Sequence, residues 1–196
     1  MRAKKSFRKC KILIILALLF LMTACAKRSV YNVYIDPNMD FGVIKIVAVM
    51  PFVNLARDPV VAERVRDVLV NKLLATGSVY VLPVGEVARG TARAEIPNPG
   101  APSQEEIIKL GAIIKAQAVI TGAVREYGEV RSGTSSGNII SLSLQMVETQ
   151  TGKIVWTASS TQGGISVWAR LFGGGGKPMN VVTEKAVDDL LSKLLK

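Results

Sequence analysis

VIKIVAVM, Val43 to Met50, is apolar at nearly every position, with Lys45 as its one charge, and Pro51 ends it. A strand with one wet face alternates apolar and polar residues, so an unbroken apolar run bounded by a proline reads as a strand covered on both faces. This predicts a central strand of an α/β sheet. Downstream, Asp58-Pro59 offers an N-cap and a first-turn proline. Val61, Val65, Val68, Leu69 and Leu73 then recur at helical spacing up to Gly77, a natural stop. The spacing predicts an amphipathic helix of about 18 residues.

Val79 to Leu82 (VYVL) reads as a short strand closed by Pro83, and Gly85 to Ala94 as a brief helix. The prolines of Glu95 to Pro102 (EIPNPGAP) mark a loop. Ser103 with Glu106 makes a capping box for a helix that carries Ile107, Ile108, Leu110, Ala112, Ile113 and Ile114 to about Lys115. Ala118 to Tyr127 (AVITGAVREY) returns to strand character. Arg131 to Asn138 (RSGTSSGN) reads as a short polar turn. Beyond it Ile140, Leu142, Leu144 and Met146 alternate with Ser141, Ser143, Gln145 and Val147 in a half-buried strand. Gln150 to Lys153 turns into Ile154 to Ser160 (IVWTASS), completing an antiparallel meander. Val181 to Leu195, with Val182, Ala186, Leu190 and Leu194 on one face, predicts a closing helix. The expected fold is therefore a single α/β domain of three-layer character. Its mixed sheet has about five strands, in the order strand-helix-strand-helix-strand and then the meander, with a C-terminal helix.

Upstream, six basic residues (Arg2, Lys4, Lys5, Arg8, Lys9, Lys11) precede eleven apolar ones, Ile12 to Met22, and then the small Thr23 and Ala24. These are the three regions of a secretory signal in order, and the apolar run is shorter than the roughly 20 residues a spanning helix needs. Residues 1–24 are expected to be a signal peptide, 25–41 a tether and 42–196 the domain. Fully extended, Ala26 to Phe41 would reach at most about 50 to 60 Å. Val30, Tyr31, Val33, Tyr34 and Ile35 are too apolar for a plain linker; they either pack back on their own domain or dock on a neighbouring subunit.

Met22-Thr23-Ala24-Cys25 resembles the lipobox of bacterial lipoproteins, although Met22 stands where that family usually has Leu. The resemblance implies that Cys25 is acylated and becomes the first residue, and that this covalent lipid anchors the chain. With Ala26 and Lys27 rather than Asp after the cysteine, it also implies the outer membrane, facing the periplasm.

The formal charge of +10 is inflated by the signal; without it the chain carries about +4, a mildly basic surface with no basic run interleaved with aromatics. Nucleic acid is not an expected partner. Cys10 and Cys25 are the only cysteines, so no disulfide is expected in the domain, and the chain has no histidine, the commonest general base and metal ligand. No Ser-His-Asp arrangement can be assembled. Gly176-Lys177 fails as a phosphate loop, because Leu171 and Pro178 stand where the motif needs Gly and Ser or Thr. The carboxylate pairs Glu126/Glu129 and Asp188/Asp189 read as solvated surface. No catalytic residue, metal or cofactor other than the lipid on Cys25 is expected.

VIKIVAVMPFVN (Val43 to Asn54), AVITGAVREY (Ala118 to Tyr127) and ISLSLQMVETQTGKIVW (Ile140 to Trp156) together resemble the periplasmic domain of a superfamily of envelope lipoproteins. It includes the curli secretion lipoprotein CsgG, the synthase activator LpoB, the exopolysaccharide export lipoprotein PelC and the N-terminal domain of TolB. The resemblance implies a non-catalytic accessory or assembly factor, a homo-oligomer that scaffolds export and has envelope secretion or cell-wall proteins as partners. A tethered activator of a peptidoglycan synthase is the alternative, and an envelope glycan hydrolase stands outside both. Channel-forming members extend the first meander hairpin into the membrane; RSGTSSGN is too short for that.

One stretch remains, Gly163 to Gly176 (GGISVWARLFGGGG), where Trp168, Leu171 and Phe172 lie between glycine runs. They either complete the domain's own core, form a subunit interface, or insert at the headgroup layer, where indole is favoured. Trp168, Leu171, Phe172, Tyr31 and Tyr34 are the expected interface or membrane-contact residues.

Overall fold

The computed structural model describes residues 33–165 and 175–195. Seven strands form one mixed sheet: β1 (Val33–Ile35), β2 (Ile46–Val49), β3 (Val53–Asn54), β4 (Tyr80–Val81), β5 (Ala118–Ser132), β6 (Ser135–Glu148) and β7 (Ile154–Gly163). Four helices accompany them: α1 (Val61–Thr76), α2 (Val84–Arg93), α3 (Gln104–Ile114) and α4 (Met179–Leu194). The strand order is β1-β7-β6-β5-β2-β4, with β3 also on β5. β2 runs parallel to β4 and β5, and β3 parallel to β5; β5, β6, β7 and β1 are antiparallel neighbours.

β2 is an interior strand covered on both faces, as its apolar run predicts, although it lies one in from the edge strand β4 rather than at the middle of the sheet. Val47 and Val49 point into one core and Ala48 and Met50 into the other, all at most 1 % exposed. The first core lies under α1 and α4, where Val65, Leu69, Leu73, Ala186 and Leu190 pack on Ile120, Leu142, Leu144 and Trp156. The second lies under α2 and α3, where Val87, Ile107 and Leu110 pack on Ala48, Met50, Val119 and Val147. Helices therefore stand on both sides of the sheet, the three-layer arrangement.

The sheet has two more strands than expected, and both are short. β1 lies within the stretch expected to be tether: Val33, Tyr34 and Ile35 pair with Ala158, Thr157 and Trp156 of β7. The compact unit begins at Asn32, ten residues before the expected boundary at 42. β3 lies between Pro51 and Asp58, where the sequence pattern predicts no element. Two or three residues carry no measurable period, so only their hydrogen bonds reveal such strands.

A second correction concerns the meander turn. The β5–β6 register runs unbroken from Glu126↔Ser141 to Ser132↔Ser135, so Arg131 to Asn138 is strand on both sides of a turn at Gly133 and Thr134. Gly133, at φ 61°, supplies the left-handed residue a two-residue hairpin turn requires. The extension carries Arg125, Glu126, Glu129 and Arg131, charges that a lipid-facing apolar band excludes.

Helix ends follow their predicted chemistry with one exception. Gly77 closes α1 at φ 63°, and the capping box opens α3: the Ser103 backbone N–H donates to Glu106 Oε2 at 2.6 Å and the Glu106 N–H to Ser103 Oγ at 3.3 Å. Asp58 does not cap α1, which starts at Val61. Instead its Oδ1 accepts from the Val60 N–H at 3.1 Å, turning the chain just before the helix.

Candidate functional site

Of the residues singled out in the sequence, Cys25, Tyr31, Trp168, Leu171 and Phe172 lie outside the described residues. Tyr34 is described: it stands on edge strand β1, 47 % exposed.

The register shows what Tyr34 belongs to. It lies opposite Thr157, which lies opposite Gln145, which lies opposite Thr121, a straight row across four strands on one face. The next rows on that face pair Ser159 with Ser143, and Thr161 with Ser141, where Thr161 Oγ1 donates to Ser141 Oγ at 3.1 Å. This is the polar half of the alternation in β6, and its position explains the alternation. α4 packs on the opposite side of β6 and β7, while α2 and α3 lie over β2 and the start of β5, α3 also meeting Val147 near the end of β6 and the turn after it. Among the described residues, no helix packs on this face over β6 ahead of Val147 or over β1.

The face descends into a trough of about 470 Å³ floored by Thr121, Ser143 and Gln145 and walled by Gly100, Gly152 and Ile154. Hydroxyls and a primary amide donate and accept hydrogen bonds, but they do not titrate near neutral pH. No titratable side chain stands among the described residues that line the trough, and its hydroxyls and amide are groups suited to hydrogen-bonded recognition. Tyr34 and Ile154, each 47 % exposed, add the apolar contribution at its edge.

Of the two carboxylate pairs, Glu129, Asp188 and Asp189 form ion pairs, and Glu126 is exposed. Glu129 accepts from Arg131 Nε at 2.9 Å and Nη2 at 2.8 Å. The Ser136 hydroxyl first, and then Arg131, hold its carboxyl below the ordinary glutamate range. Asp188 pairs with Lys72 at 2.9 Å, joining α4 to α1, and Asp189 with Lys193 at 2.7 Å. Lys177, of the failed phosphate motif, sits beside Lys185, whose side-chain hydrogen bond first, and then its like charge, push the Lys177 pKa down. Among the described residues, no group of His, Cys, Asp and Glu is arranged to hold a metal, and no helix is long and apolar enough to cross a membrane.

One residue escaped sequence reading altogether. Arg66 of α1 is buried, 8 % exposed, although the helix pattern is carried by Val65, Leu69 and Leu73. The signal was available in its spacing, since positions 66, 69 and 73 fall at i, i+3 and i+7 and share a helix face.

Against known proteins, the family model described as the peptidoglycan-synthase activator LpoB matches residues 21–161. In fold the chain is similar to the PelC dodecamer from Paraburkholderia phytofirmans, with 19 % identity over 83 % of this chain and 96 % of that one and a TM-score of 0.56. Lipoprotein GNA1162 from Neisseria meningitidis is also similar, at 19 % identity over 77 % and 98 %, with a TM-score of 0.56. So is hypothetical protein CT253 from Chlamydia trachomatis, at 12 % identity over 77 % and 95 % with a TM-score of 0.51. No protein of curated function matches the chain.

Proposed function

The chain belongs to the family of the peptidoglycan-synthase activator LpoB, and from that membership we propose that it is an outer-membrane lipoprotein acting as a non-catalytic accessory or assembly factor of the envelope. Its α/β domain works by binding, on the periplasmic face, and the covalent lipid on Cys25 is its anchor. Each buried acyl methylene contributes about 0.8 kcal/mol, so several chains together make release negligible.

The observation that carries the finer reading is the pairing of β1 with β7. With Val33 already in the sheet, only Ala26 to Asn32, seven residues, separate the lipidated position from the domain. They span at most about 25 Å. That length supports a domain held close to the membrane, where copies meet by lateral diffusion and assemble as a ring or small oligomer scaffolding export. PelC, similar in fold, is a dodecamer.

The family description supports a second reading, activation of a peptidoglycan synthase. The two readings part in the native mass of the acylated full-length protein in mild detergent. A closed oligomer supports the scaffold. A monomer that crosslinks in cells to a wall synthase supports the activator and removes the scaffold. Release of the protein from membranes by Cys25→Ser tests the anchor common to both, and a Cys25→Ser form that stays membrane-bound refutes it.

A further inference from the structure

α1 buries a cation that the fold leaves unneutralised. The Arg66 guanidinium uses Nε and Nη2 on a single acceptor, the carbonyl of Val49 at the end of β2, at 3.1 and 2.6 Å. A guanidinium has five N–H groups. No described carboxylate forms an ion pair with Arg66; Asp67 and Glu63 raise its pKa only through their field, and burial outweighs them and lowers it. A buried charge without an ionic partner is a cost to the folded state, and an anion bound from outside would offset it.

The place for one adjoins it. Arg66 is the charged member of a cleft of about 330 Å³ between the end of β2 and α2, with Val87, Thr91 and Ile96 around it and Ala88 and Pro99 at the mouth. Thr91 Oγ1 spends its proton on the Val87 carbonyl at 2.7 Å, so the hydroxyl faces the cleft as an acceptor only. With Nε–H and one Nη2–H spent on Val49, the donor set left is the end-on edge of one planar fork, the Nη1 hydrogens and the second on Nη2. It matches a carboxylate, which one guanidinium can hold through two parallel bonds, better than a phosphate, whose further oxygens and charge would find no second donor. The aliphatic walls and modest volume suit a methyl-bearing residue behind that carboxylate.

We infer that the Arg66 cleft binds the C-terminal carboxylate of a short, small-side-chain peptide. The same chemistry ends a protein chain or a wall stem peptide, differing in the hand of the last residues. This inference stands on α1, α2 and β2 and does not depend on the accessory reading.

The test is calorimetric titration of the acylated full-length protein in detergent with N-acetyl-L-alanyl-L-alanine, its D,D isomer and the amide of each. Expected is saturable binding of at least one free acid, at least tenfold weaker binding of its amide, and the stronger isomer naming the source. Arg66→Gln should lose binding at least tenfold. Because that variant also strips Val49 of its donors, Ala88→Phe, which blocks the mouth from an exposed position and leaves Arg66 intact, should lose binding with unchanged melting temperature. The inference is overturned if neither acid binds at millimolar concentration, if the amides bind as well as the acids, or if Ala88→Phe binds as the unaltered protein does.

Discussion

Trp156 is the largest fully buried side chain among the described residues, and it anchors α4 together with one lysine. The indole is 1 % exposed in the core, and its Nε1–H donates to the Lys193 carbonyl at 3.3 Å. Lys193 Nζ reaches back to the Ser159 carbonyl at 3.1 Å and pairs with Asp189. Together they pin the last turn of α4 onto β7. Trp156→Ala should cost about 3 to 5 kcal/mol in urea denaturation, whereas Asp189→Ala, which removes a partly exposed pair, should cost about 1 kcal/mol or less. A small loss for Trp156→Ala would mean that α4 docks without it. The same scale settles the role of Glu129. Its folded pKa is depressed, so it contributes stability that is present above the ordinary glutamate value and lost as pH falls through the depressed one. Ser136→Ala should raise the Glu129 carboxyl pKa in an NMR titration, and an unchanged value would sink that assignment.

At the scale of elements, α2 and α3 touch because of what α2 lacks. A Cβ on Gly90 would land inside the van der Waals shell of Ile114 Cγ2, so the glycine sets the approach of the two helices. Gly90→Ala should cost about 1 to 3 kcal/mol through forced separation, against the roughly 0.5 to 1 kcal/mol gained from helix propensity. Ser103→Ala should cost about 1 kcal/mol by unmaking the capping box; chemical denaturation of both variants checks the order of the two losses. The capping box was legible from residue types alone, because its geometry spans only four residues. The separation of α2 from α3 was not, since Gly90 and Ile114 meet only in the folded chain.

For the whole molecule, the informative asymmetry is that α1 and α4 pack along one face of the sheet, while α2 and α3 on the other lie over β2, the start of β5 and Val147 near the end of β6. The part of that second face left without a helix among the described residues, with Tyr34 at its edge, is where the proposed binding role would meet a partner without disturbing the core. β1 closes the open edge of β7, and an unpaired edge strand is a template for aggregation. A chain starting at Phe41 should therefore melt lower and scatter more light than one starting at Asn32. Equal behaviour would make β1 an ornament and restore the long tether.

The sequence by itself determined the parts whose physics is local or periodic. These are the doubly covered β2, the stops at Gly77 and Pro51, the capping box, the alternation of β6 and the absence of any histidine. The tertiary structure alone decided which short strands gained a partner from far along the chain, namely β1 and β3, and how far the β5–β6 hairpin runs beyond Glu126. It also decided on which side of the sheet α4 packs over β6, and that Arg66 would be buried with one carbonyl and no carboxylate among the described residues. The reason is the same each time: a strand of two or three residues, or a charge on an otherwise apolar helix face, has its energy set by neighbours tens of residues away, and no local pattern records them.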